Sequence, residues 1–125
     1  MTAPDPHDIL GDSTALRDLL AMAGPETAPR ILRQMHSDLT ACAGLLAPAL
    51  ATGDRATIRA QTHVLIALAG TIGAMRLHTC AIDLNAAAHA QDPVAIAAQS
   101  GPLMADLTGL VALLASRLPK GEAAA

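Results

Sequence analysis

Between residues 31 and 50, the apolar side chains Ile31, Leu32, Met35, Leu39, Cys42, Leu46 and Leu50 follow helical spacing. Steps of three and four gather them on one stripe of a helix with about 3.6 residues per turn, whereas a strand of period two would scatter them over both faces. Such a helix must bury its stripe against other helices. The remaining composition agrees: 52% of the 125 residues are hydrophobic, yet the chain has no Phe, Trp or Tyr. A core of Leu, Ile, Val, Met and Ala suits close helix–helix packing better than a sheet, whose positions favour aromatic and β-branched side chains. The length fits one domain with a modest core.

Glycine, proline and capping residues divide the chain. Residues 1–12, rich in Pro and Asp, read as a loose, flexible leader. Ser13 is expected to cap a short helix through Ala23, with Leu16, Leu19 and Leu20 on one face and Gly24-Pro25 as its stop. Thr27 then caps a longer helix that tolerates Pro29 in its first turn, is kinked or frayed by Pro48, and ends at Gly53. Asp54 caps the next, which runs to about Gly70. Gly73 opens another, with Leu77, Cys80, Leu84 and Ala88 as its stripe. Asp92-Pro93 is a cap followed by proline at the first helical position, and the last helix runs to about Leu118 with an interruption near Gly101-Pro102. Residues 119–125 read as a frayed tail. Short connections favour antiparallel neighbours. The expected fold is therefore all-α, an up-down antiparallel four-helix bundle with a short additional N-terminal helix, spanning residues 13–118.

The formal net charge of −3 provides no general basic field, so nucleic acid is not an expected partner. Cys42 and Cys80 lie in apolar segments without CxxC spacing and read as small core hydrophobes rather than a disulfide or a zinc pair. The first residues lack the basic and apolar blocks of a signal peptide, and the uncharged run from Val64 to Met75 is too short to span a bilayer. A cytoplasmic, monomeric protein with no membrane association is expected. No Gly-rich phosphate loop, HExxH or ExxH pairing occurs, and no metal site is expected. His36, His78 and His89 read as surface or helix-end residues.

The segment THVLIALAGTIGA, residues 62–74, places the one imidazole of its helix, His63, at the head of an apolar and small run. At about 100° per residue, Ile58, Leu65, Leu68 and Ile72 lie more than about 130° away and form the core stripe, with Gln61 as its polar member. Within about 60° of His63 lie Ala56, Arg59, Ala60, Ile66, Ala67 and Gly70. His63 is thus expected to face solvent from a patch with little side chain, open to a partner's approach. A neutral imidazole nitrogen attacks phosphorus readily, and the N–P bond it forms is labile enough to pass the group on. Phosphoryl transfer needs in-line approach and charge neutralisation more than acid–base machinery. Arg59, one turn before His63, is the candidate to stabilise the phosphoryl charge.

His63-x-Leu65-x-Ala67, followed by Gly73-Ala74-x-x-Leu77 and Leu84, resembles the core of histidine phosphotransfer (HPt) domains. The resemblance covers about residues 14 to 118, most specifically in the gap-free spacing from His63 to Gly73-Ala74. It implies a four-helix bundle whose histidine exchanges a phosphoryl group with aspartates of response-regulator receiver domains. It also implies no ATP site, no cofactor of its own, and a divalent metal held by the receiver; a hybrid histidine kinase is a further partner it suggests. By position His63 is the phosphorylated residue and Ala67 occupies the family's small-residue site. The family's lysine is Ile66 here, its glycine is Ala67, and the aromatic often found in its second helix corresponds to Met35. Two alternatives stay open: a degenerate HPt-like module that docks a receiver or kinase without phosphate transfer, and an unrelated helical interaction module.

Overall fold

The computed structural model describes residues 6–119. They form five helices: α1 (Pro6–Leu10), α2 (Ala15–Thr52), α3 (Arg55–Ile72), α4 (Met75–His89) and α5 (Pro93–Arg117). No strand occurs among the described residues. α3 packs against α2 and α4, α5 closes the ring against α4 and α2, and the short α1 rests on α4 and α5. The chain is an all-helical bundle around one core. Leu39 and Leu46 of α2, Ile58, Leu65 and Ile72 of α3, Leu84 of α4, and Leu103, Leu107 and Leu114 of α5 are fully buried there. Each contributes about 1.5–3 kcal/mol by leaving water.

Several boundaries differ from the sequence expectation. The leader was expected to be loose, but part of it folds: α1 places Ile9 against Gly109 and Leu10 in the core. A glycine at 109 permits this, because a Cβ there would stand 2.8 Å from the Ile9 Cδ1. Residues 1–5, and the expected frayed tail from residue 120 on, lie outside the described residues. Thr14 rather than Ser13 stands at the N-cap position of α2; its hydroxyl donates to Asp18, while Ser13 Oγ accepts from the Ala15 N–H. The stop at Gly24 takes the form of a break, with φ 86° and ψ 169°, after which the helix resumes at Pro25 rather than at a Thr27 cap. Proline's fixed φ suits a first helical position, so the pair acts as break and restart together.

Pro48 does not break α2, and α5 runs uninterrupted through Gly101 and Pro102. A helical proline removes the N–H that would serve the carbonyl four residues earlier. Those carbonyls belong to Gly44 and Ala98, both exposed, so water satisfies them. Buried residues on either side, Leu46 and Ala49 in α2 and Ile96 and Leu103 in α5, hold each helix on course. By length and composition α5 is apolar enough to cross a membrane. Here it packs on α2 and α4 and buries its leucines. Cys42 is buried as expected and Cys80 only half-buried.

α3 is framed by two left-handed glycines. Gly53, at φ 74°, ends α2 by donating its N–H to Ala49 O, and Gly73, at φ 86°, ends α3 by donating to Ala69 O. Positive φ is open to glycine at little steric cost. Asp54 opens α3: its carboxylate accepts from the Thr57 N–H at 3.2 Å and the Thr57 hydroxyl at 2.7 Å. These bonds hold its carboxyl below the usual carboxylate range. α3 itself runs to Ile72 and α4 starts at Met75, not at Gly70 and Gly73.

Candidate functional site

His63 lies in the middle of α3 and is exposed, as its helical phase requires. Ile58, Leu65 and Ile72 are buried opposite it, but Leu68 and Gln61 are only half-buried. Thr62 and Ala69 take their place in the core. The buried stripe is rotated toward Thr62, where α3 meets α4. Small side chains on that side, with Ala81, Ala87 and Ala88 on α4, let the two helices approach closely.

Thr62 is the one buried polar side chain among the described residues. Its hydroxyl donates to Ile58 O at 2.7 Å and accepts from Asn85 Nδ2 of α4 at 2.8 Å. The same Nδ2 donates to Arg59 O at 3.3 Å. A carbonyl accepts only from the amide nitrogen, so the Asn85 side chain has one orientation. Its Oδ1 is left without a hydrogen bond to the described residues.

An open depression of about 490 Å³ is lined by Ala56, Arg59, Ala60 and His63 of α3 and by Asn85 and His89 of α4. Four positions expected from α3 are thus brought together around the imidazole. Ile66, Ala67 and Gly70 lie outside this depression, farther along the helix. Ala67 and Gly70 are exposed and Ile66 is half-buried against the core. Gly70 does more than leave space: a Cβ there would lie 3.4 Å from His78 Cδ2, so the His78 ring covers it.

Asn85 and His89 were missed by the sequence reading. The signal was present, since His78, Ile82, Asn85 and His89 follow steps of four, three and four on α4. Only the packing of α4 on α3 turns that stripe toward His63. Arg59 reaches the depression without an ion pair among the described residues, whereas Arg76 is held by Asp106 in two hydrogen bonds of 2.8 and 2.7 Å. Among the described residues no three His, Cys, Asp or Glu side chains are placed to hold a metal ion. The arrangement provides an exposed imidazole, an adjoining cation, a neighbouring amide and open access. No family model, no curated protein and no solved structure matches this chain.

Proposed function

We propose that the chain is a phosphocarrier of a two-component phosphorelay, exchanging a phosphoryl group between His63 and aspartates of response-regulator receiver domains. One observation carries this reading: an imidazole exposed at mid-helix, on a surface of small residues, beside a guanidinium with no ion pair among the described residues. A buried or ion-paired histidine would be a structural element, whereas this one makes no hydrogen bond to any described residue. The spacing His63-x-Leu65-x-Ala67 to Gly73-Ala74 supports the same reading through its resemblance to HPt domains.

In the proposed transfer, the lone pair of one ring nitrogen of His63 attacks the phosphorus of an aspartyl phosphate in line. The N–P bond forms as the bond from phosphorus to the aspartyl oxygen breaks, and that electron pair returns to the aspartate carboxylate. The other ring nitrogen keeps its proton. Arg59 lies against the charge on the phosphoryl oxygens. The reverse sequence discharges the group to a second receiver. This needs no nucleotide site in the chain; the divalent metal belongs to the receiver.

The proposal extends to an antiparallel up-down course for α2 to α5, supported by their cyclic packing and by connections as short as Gly53-Asp54 and Gly73-Ala74. It also includes a cytoplasmic monomer, since a carrier must leave one receiver to reach another. A second reading, docking without transfer, is favoured by Ile66, a half-buried apolar residue where the family has its lysine.

Incubation with phosphorylated receiver domains separates the two. Acid-labile phosphate on the wild-type chain, lost in His63→Gln with helicity retained, is the expected result. Receiver binding without labelling would establish the second reading, and labelling that persists in His63→Gln would move the site to another residue.

A further inference from the structure

α3 carries two charged residues, Arg55 and Arg59, and both fall in its first two turns; from Ala60 to Ile72 it has none. Cations at a helix N-terminus oppose the helix dipole, so the stability of α3 does not account for them. Neither guanidinium has an ion pair among the described residues. Both line a second depression, with Gly53, Asp54 and Gln91, which shares Ala56 and Arg59 with the depression around His63. A third depression continues from Arg55 and Gln91 toward Pro93 and Ile96. Asp54 is the one acid lining these surfaces, and its carboxylate is engaged by Thr57.

On the other side of His63 the surface changes character. Toward the Gly73 end Ala67 is exposed and Ile66 half-buried, and Ile82 of the adjoining α4 is 43% exposed; Val64, 42% exposed, stands on the flank of α3 away from α4. The surface is therefore cationic toward the Gly53 end of the bundle and apolar toward the Gly73 end, with the imidazole at the boundary.

We infer that this asymmetry orients the docked partner: an acidic edge of the partner lies over Arg55 and Arg59, and an apolar edge lies over Ile66, Ala67 and Ile82. The inference rests on the phosphocarrier reading, for which it names the side of the receiver that must carry acidic side chains. In a chain of net charge −3, two arginines without an ion pair among the described residues, their field reinforced by the α3 N-terminus, select an acidic surface. A single rotational setting about His63 would bring phosphorus in line with the ring nitrogen, and a uniform patch could not enforce one.

The test titrates the full chain against each receiver domain of the organism that makes it, purified singly, at low and at high salt. Arg55→Glu and Arg59→Glu are each expected to weaken binding about 10-fold at low salt and to flatten its salt dependence. Arg117→Glu makes the same change in net charge at the far end of α5 and is expected to leave affinity unchanged. Ala67→Arg, on the apolar side, is expected to weaken binding at both salt concentrations. Equal effects of Arg55→Glu and Arg117→Glu, or none from either arginine of α3, would overturn the inference. The phosphocarrier reading is scored separately by label on His63. A wild-type chain that is labelled while Arg55→Glu binds normally defeats the orientation alone, and one that neither binds nor is labelled defeats both.

Discussion

At the scale of single residues, Thr62 links core to site. Its hydroxyl is buried, yet it holds the Asn85 amide that borders the imidazole. Thr62→Val keeps the shape and removes the acceptor, so it should cost about 1–2 kcal/mol in urea unfolding. It should also slow phosphate uptake, because Asn85 loses its better-aligned partner; normal uptake in the destabilised variant would confine Thr62 to a structural role. Ile66 and Arg59 pose a question of charge. If His63 carries a phosphoryl group as proposed, Ile66→Lys adds a cation one turn after it, and Arg59→Ala removes one. Each should change the transfer rate several-fold, in opposite directions, at fixed ionic strength, about 1 kcal/mol of barrier apiece. If both rates match the wild type, the receiver alone neutralises the phosphoryl charge.

Among the elements, the two glycines that bound α3 share a conformation but not a neighbourhood. A Cβ at Gly53 would meet open space, whereas at Gly73 it would run into the side chains of Ser13 and Ala15. Gly53→Ala should therefore cost only the left-handed strain, about 1–2 kcal/mol. Gly73→Ala should cost that and more, since the segment entering α2 must move. Thermal unfolding of the two variants side by side checks the order. This contrast gives the Gly73-Ala74 pair a structural basis: Gly73 lets the chain entering α2 pack against the turn, and Ala74 is fully buried behind it. α4 shows what an element's own pattern withholds. Its apolar stripe was legible, although Ala81 replaced the half-buried Cys80 in the core. The polar stripe of His78, Asn85 and His89 acquired meaning only against α3.

For the whole molecule, stability and pH are coupled through Cys42. Burial pushes its thiol from the ordinary 9.0 up to about 11. The folded state keeps the proton that the unfolded chain releases above its own value, so this contribution is fully present below about pH 9 and is lost as pH rises toward 11. Urea unfolding should show stability falling by about 1.4 kcal/mol per pH unit across that window through Cys42, and Cys42→Ala should remove that part while lowering stability at neutral pH, leaving the part due to Cys80, whose thiol burial also pushes up. Helical content, the break at Gly24, the caps at Asp54 and Asp92, and the outward phase of His63 were all determined by the sequence alone. Each depends on local geometry: period, positive φ, or a side chain reaching its own helix N-terminus. The packed α1, the unbroken passage through Pro48 and Pro102, and the turning of Asn85 and His89 toward His63 were decided by tertiary structure. These depend on which helix lies beside which. A proline is tolerated when buried neighbours hold its helix and its orphan carbonyl faces solvent, and a polar stripe gains a neighbour such as His63 only when packing brings another helix beside it.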